Sequence, residues 1–390
     1  MKRILRIGSF FAKLFVAHIV AALLKCFNAK YRNIWIISER GDDARDNGYF
    51  FYKYLCKNHP QQTVYYIINS ASADAPKIAP HHRVQPGSLK HFIMFALCRV
   101  RISSHAFGGD IPFADYYKKS GLYKLSRKKS VFLQHGITKD FQPNLCYPQF
   151  CTDLFVCGAK PEFDYIRDNF GHKKGAVQYT GFARYDSLCD FTTKNQILVM
   201  PTFRKWLQGL EEDEFTKQEY FKSWLWFINN PVLAKLLEKT NTKLIFYPHI
   251  EMQRYVSLFT PASDKITIAD FNHYDVQTLL KESKLLITDF SSVFFDFAYM
   301  KKPVIFYHFD RQRYIKDHYD FTKGYFDYDG MAPGKVVFFE DDLVKEIIDT
   351  FKNGFAVKDQ YAARNSVFFT LHDTNNCRRI YEQINKLLTQ

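Results

Sequence analysis

The chain has 390 residues, with 54 Lys plus Arg against 40 Asp plus Glu and 47% apolar residues. That balance excludes a disordered, collagen-like or disulfide-scaffold protein and leaves a globular one, long enough for two domains that each bury a core. The net charge of +14 implies anionic partners, and half of the excess lies in residues 1–32, where Lys2, Arg3, Arg6, Lys13, Lys25, Lys30 and Arg32 meet no acid.

Residues 4–24 are apolar but interrupted by Arg6, Lys13 and His18, so the longest run free of Lys and Arg is Leu14 to Leu24. That is about half of the roughly 20 residues a bilayer span needs. Leu23-Leu24-Lys25-Cys26 offers no signal-peptidase site. On a helical wheel Lys2, Arg6, Ser9 and Lys13 make one narrow polar stripe, with Phe10, Phe11, Leu14, Phe15, Ile19 and Leu23 filling the remainder. This is the pattern of a helix lying in the membrane interface, anchored by Arg6, Phe10, Phe11, Lys13, Leu14 and Phe15. The competing reading is a core-packed helix. Lys118, Lys119, Lys124, Arg127, Lys128 and Lys129 form the one other acid-free basic cluster. Eight cysteines without a C-x-x-C pair or zinc spacing fit a reducing compartment.

From residue 33 short β-rich runs alternate with helical patterns, the sign of parallel sheets wrapped by helices. Expected strands in the first half are 34–38, 64–68, 100–103, 131–134, 154–157 and 177–180, with helices over 47–57 and 88–97. Residues 183–195 read as a linker. A second series follows at 197–200, 244–247, 266–269, 285–288, 304–307 and 336–339, with helices over 213–239, 275–282 and 291–300. The division is then 1–30 for the interfacial helix, 31–190 and 191–372 for two doubly wound Rossmann-like domains, and 373–390 for a helix packing back toward the first. Such units bind ligands at the carboxyl ends of their strands. No G-x-G-x-x-G or P-loop is present, which removes most dinucleotide and P-loop enzymes.

Strand ends therefore hold the candidates. Val131 to Gln134 runs into His135-Gly136, placing an imidazole at a strand end beside a glycine that lets substrate approach the backbone. Leu244 to Tyr247 runs into Pro248-His249. Two histidines facing each other across a cleft suit one base and one phosphate donor. Leu285 to Thr288 breaks into Asp289-Phe290-Ser291-Ser292 before a helix, whose free amides and hydroxyls suit a phosphate. Arg204, after strand 197–200, could grip two phosphoryl oxygens. Asp42, Asp43 and Asp46 suggest a metal, but the interleaved Arg40 and Arg45 point instead to an internally paired loop.

These segments together resemble the CDP-glycerol glycerophosphotransferase family of teichoic-acid and capsule synthesis. The likeness runs from about residue 34 to 370 and rests on Ser38 to Gly48, Gln134-His135-Gly136, Pro201 to Arg204, Tyr247-Pro248-His249, Thr288 to Val293 with Phe295-Asp296-Phe297, Gly324 to Tyr328, and Ala332-Pro333-Gly334. The resemblance implies a GT-B fold, with an acceptor domain first and a CDP-alditol donor domain second. It implies transfer of glycerol or ribitol phosphate from a CDP donor to a lipid-linked glycan at the cytoplasmic face of a bacterial membrane, with CMP released. It puts the motif histidines on His135 and His249, the phosphate site on Arg204, Ser291, Ser292 and Gly136, and donor-site support on Asp289 and Asp296. No metal or cofactor is called for, and oligomeric state stays open. Phe203 and Phe290 depart from the Trp and Tyr frequent in the family. With little room for an additional N-terminal domain, the chain is similar to short, primase-like members that add one or a few units. The rival readings are a GT-B glycosyltransferase using a sugar nucleotide, told apart by release of UDP rather than CMP, and a nucleic-acid-binding protein, for which no recognition motif appears.

Overall fold

A computed structural model describes residues 2–106, 111–112, 128–318 and 322–389, with side chains from residue 8 onward. Two all-parallel sheets organise it. The first contains β1 (Ile34–Ser38), β2 (Thr63–Ile67), β3 (Arg83–Val84), β4 (Cys98–Ser103), β5 (Lys129–Phe132), β6 (Leu154–Cys157) and β7 (Val177–Tyr179), in the order β3-β2-β1-β4-β5-β6-β7. The second contains β8 (Gln196–Met200), β9 (Lys243–Phe246), β10 (Ile266–Ile268), β11 (Leu285–Thr288), β12 (Val304–Tyr307) and β13 (Lys335–Val337), in the order β10-β9-β8-β11-β12-β13. In both, strand order reverses once, between β1 and β4 and between β8 and β11. Crevices form at such points, because neighbouring loops diverge there to opposite faces.

Every residue of β1 is buried, since helices cover both sheet faces. Strand alternation sends Ile34 and Ile36 to one side, into a cluster with Phe10, Leu14, Ala17 and Ala21 of α1 (Lys2–Phe27) and Phe92 and Phe95 of α3 (Leu89–Leu97). Trp35 and Ile37 point the other way, to Phe51 and Leu55 of α2 (Asn47–Asn58) and Ile380 and Ile384 of the helix Asn376–Thr389. In the second sheet Trp224, Leu233, Leu237 and Leu285 belong to one cluster.

Three expectations change. Residues 213–239 are not one helix but Glu212–Phe215, Glu219–Ile228 and Pro231–Thr240. Asn230 caps the last, accepting from the amides of Val232 and Leu233, and Pro231 occupies the first turn where its missing N–H costs nothing. Phe10 and Leu14 do not face outward: both are buried against α3, and the Phe10 and Phe92 rings meet edge-on at 5.6 Å. Lys13 lies over Phe92 and donates to the Gly87 carbonyl. The outward face is Phe11, Phe15, Val16, Ile19, Leu23 and Phe27. The Arg6 side chain and Lys118, Lys119, Lys124 and Arg127 lie outside the described residues, and Lys128 is not a surface charge, because its ammonium sits 4.1 Å over the Phe95 ring.

The sheets meet along several contacts. Phe141 N–H donates to the Thr322 carbonyl at 3.1 Å. Gly324 packs so closely that a Cβ there would stand 2.2 Å from the Lys139 carbonyl oxygen. The Tyr185 and Tyr299 rings stack at 4.2 Å.

Candidate active site

A cavity of about 220 Å³ opens where the two reversal points face one another. Its first wall is the loop after β1, His105 beyond β4, His135 beyond β5, and Arg184; its second is Phe271, Asp275 to Gln277, Ser291 to Val293, and Asp296.

The loop after β1 is held by carboxylates. Glu39 accepts the amides of Arg45, Asp46 and Tyr49 at 2.8 to 3.0 Å, and burial with the neighbouring Asp46 pushes its pKa up to about 8. Asp46 caps α2 by accepting from Asn47 N–H, and Asp43 accepts from Arg40 N–H. This is the internally paired loop the sequence suggests. Among the described residues no group of three or more His, Cys, Asp or Glu is arranged to hold a metal ion.

β5 stops at Phe132, because Gln134 takes a left-handed conformation, φ 58°. Its buried amide donates to the Val156 carbonyl and to Glu162, and Glu162 also accepts from Thr138 N–H and Gly158 N–H. The turn carrying His135 is thus rigid. The His135 ring stacks on His105 at 4.9 Å and 7°. Arg40 Nε donates to His105 Nε2 at 3.1 Å, which requires that nitrogen to be unprotonated. Solvent reaches His135 through the cavity mouth, yet protein crowds the ring. That burial, with Arg184 and Arg40 near, lowers its pKa to about 4. Burial, with His135 and Arg40, takes His105 to about 3. Both imidazoles are neutral at pH 7, and an anionic ligand would raise their basicity.

On the opposite wall the helix starts later than expected, at Phe294 with Val293 as cap rather than at Ser291. Ser291 Oγ accepts from Val293 N–H, and the Ser292 carbonyl accepts from Phe295 N–H. The two serines thus form a half-buried turn in the cavity wall. Gly136 also lets the two walls approach, because a Cβ there would stand 2.8 Å from Ser292 Oγ and push that side chain aside. Asp296 is engaged in a two-point pair with Arg184 at 2.7 and 2.8 Å. Arg184 also donates to Asp46 at 2.9 Å and to the His135 carbonyl at 3.1 Å, tying both walls together.

Arg204 is not in the cavity. Its side chain is 0% exposed, with Nε and Nη2 on Asp310 at 2.7 and 2.9 Å, Nη2 also 2.9 Å from Asp289, and Nη1 on the Thr202 carbonyl. Rings of Tyr220, Phe290 and Tyr314 surround it within 5.2 Å, so no edge is left for a phosphate. Asp289 accepts from Thr202 N–H and Phe290 N–H besides. His249 also stands outside the cavity wall; its Nδ1 accepts from Glu251 N–H and its ring stacks on Phe203 at 4.7 Å. Burial lowers its pKa.

The structure therefore gathers His135, Gly136, Ser291 and Ser292, leaves His249 and Arg204 aside, and adds His105 and Arg184. His105 follows β4 as His135 follows β5, so the same strand-end rule finds it. Arg184 carries no such signal, since it lies in the segment read as linker and its partners are remote in sequence.

A family profile described as CDP-Glycerol:Poly(glycerophosphate) glycerophosphotransferase matches residues 19–386. The minor teichoic acid biosynthesis protein GgaB of Bacillus subtilis is 34% identical over 389 residues, covering 96% of this chain and 42% of that protein. The teichoic acid ribitol-phosphate polymerase TarL of Staphylococcus aureus is 29% identical over 202 residues, covering 46% of this chain and 32% of that protein. The chain thus spans less than half the length of these relatives. Among solved structures, the wall teichoic acid polymerase TagF superposes with a TM-score of 0.69 at 19% identity, covering 97% of each chain. A UDP-N-acetylglucosamine 2-epimerase from Listeria monocytogenes superposes at 0.56 and 14%, covering 92% of this chain and 97% of that one.

Proposed function

The chain belongs to the CDP-glycerol:poly(glycerophosphate) glycerophosphotransferase family, and from that premise we propose that it moves glycerol or ribitol phosphate from a CDP-alditol to a hydroxyl of a lipid-linked glycan, releasing CMP. The observation that carries this reading is the cavity in which a neutral, solvent-reached His135 faces the Ser291 and Ser292 turn. In the proposed reaction the acceptor oxygen bonds to the β-phosphorus as its proton passes to His135, and the bond from that phosphorus to the oxygen of CMP breaks. The serine hydroxyls offer donors to the phosphoryl oxygens. The two reversal points facing across one cavity support a GT-B arrangement, with residues 31–190 on the acceptor side and 191–372 on the donor side. Arg204 then acts through Asp289, holding the loop that carries the serines, while His249, which is not in the lining of that cavity, is given no part in the first contact.

The test is a donor panel of CDP-glycerol, CDP-ribitol and UDP-sugars with a lipid-linked glycan acceptor. CMP release from a CDP-alditol is the expected result; UDP or UMP release without turnover of either CDP-alditol rejects the reading.

The outer face of α1 supports a peripheral site on the cytoplasmic membrane surface. Gly8–Phe27 is long and apolar enough to cross a bilayer by length and composition. Yet its inner face is committed to α3, while Phe15 and Phe27 are 69% and 85% exposed. One buried and one bare apolar side suit a helix lying flat in the headgroup region. Phe15→Ser with Phe27→Ser should release the protein from anionic liposomes in a sedimentation assay without changing its Tm. Undiminished sedimentation would reject the interfacial face.

A further inference from the structure

Two imidazoles stand side by side in the catalytic cavity, and only His135 has a part in the proposed reaction. β4 and β5 are parallel with Ser103 opposite Phe132, so His105, two residues past the first, and His135, three past the second, leave the sheet together. Their rings lie parallel and offset, with centroids 4.9 Å apart and 7° between the planes.

The turn that carries His105 is held at its base. Ser103 Oγ accepts from His105 N–H at 3.0 Å and donates to the His105 carbonyl at 2.7 Å, while Ser104 N–H donates to the Ser38 carbonyl and Leu133 N–H to the Ser103 carbonyl. The backbone of Ser104 also hydrogen-bonds the His135 ring and raises its pKa against the lowering by burial, Arg184 and Arg40, which is the sign of a carbonyl accepting an imidazole N–H. One nitrogen of His135 is thereby committed, and the other keeps its lone pair.

His105 is poorly placed to take a proton itself. Its Nε2 accepts from Arg40 Nε at 3.1 Å, so in the neutral ring the hydrogen is on Nδ1, which is buried with no partner among the described residues. A buried donor left without an acceptor detracts from stability, so folding alone supplies no reason for a histidine here. Its flat face supplies one, because a parallel ring held by Arg40 limits how far the His135 imidazole can turn.

We propose that His105 is a positioning residue, whose ring, with the turn of Ser103 and Ser104, holds His135 in one orientation and one tautomer so that the same ring nitrogen is always the base. The assignment rests on His135 as the base proposed above, but one of its two tests needs no donor. In the full chain labelled with 15N-histidine, the His135 signals, identified by their loss in His135→Ala, should show two well-separated ring nitrogens at pH 7. In His105→Leu, which fills the space without a flat face, they should move toward a common average. The second test is turnover of the CDP-alditol. His105→Leu should lower kcat about 10- to 100-fold with KM within about twofold, the mark of a misplaced group rather than a lost binding contact. His105→Phe keeps a ring that can stack and should restore most of that loss. Should His105→Leu not fold, His105→Asn, which keeps an acceptor for Arg40 but has no ring, takes its place with the same expected loss. Averaged His135 nitrogens in the wild type, wild-type kcat in the folded variant without a ring, or an equal loss in His105→Phe overturns the proposal. If no CDP-alditol turns over while the His135 tautomer is fixed in a His105-dependent way, the reaction assignment falls and the positioning stands.

Discussion

Arg204→Ala should destabilise the protein by about 3–5 kcal/mol, the cost of leaving buried charge without its partner. Asp289 and Asp310 are 0% and 2% exposed, and the guanidinium is the cation that holds both. Against a typical total stability of about 5–15 kcal/mol, the loss threatens the fold itself. Lysine is a poor rescue, since a single ammonium cannot reproduce the two-point contact to Asp310 while reaching Asp289. Chemical denaturation decides the matter: Arg204→Ala with wild-type stability and lost turnover would mean that the arginine serves the substrate and that its burial opens on binding.

His135→Ala should lower turnover by about 100-fold or more, the usual range for a general base, with Tm at pH 7 near wild type because the ring is reached by solvent. Its pH signature follows from linkage. The folded pKa is about 4, below the ordinary value near 6.5, so the unfolded chain binds more protons between those limits. The wild type then loses stability from this residue as pH falls through that window, and the alanine variant does not. The Tm difference, mutant minus wild type, should therefore grow as pH drops from about 6.5 to 4. A flat difference would show that the imidazole is not held neutral, and wild-type turnover would remove it from the mechanism.

The strands were the most legible part of the fold. β1, β6, β11 and β12 occupy the expected residues because each is a short apolar run closed by polar or turn residues, and parallel strands buried on both faces need little else. Long-range partnership was not legible. Arg204 at a strand end looks available in one dimension; Asp289 and Asp310, which enclose it, are far along the chain. A wheel of α1 separates polar from apolar but cannot say that Phe10 and Leu14, rather than Phe11 and Phe15, meet α3. Ser291 and Ser292 were placed in the right wall with the wrong local structure, since Ser, Asp and Phe start a turn or a helix with similar ease. The pattern over 213–239 hid its own break, although Asn230-Pro231 is a helix-start signal.

The helix Asn376–Thr389 has a consequence for biosynthesis. It completes the first sheet's α2 side: Ile380 and Ile384 lie against the Trp35 and Ile37 cluster, Tyr381 packs on Trp35 at 5.6 Å, and Arg379 donates to the Thr180 carbonyl. On a translating ribosome the last strand of that sheet, β7, emerges about 200 residues ahead of it, a delay on the order of 10–40 s at common elongation rates. Over that interval the earliest half to be made carries an uncovered apolar strip, and it is the last to be sealed, after the second sheet has had time to form. A chaperone that recognises short hydrophobic segments would meet its best target there, on nascent chains long enough to hold both sheets but still lacking residues 376–389.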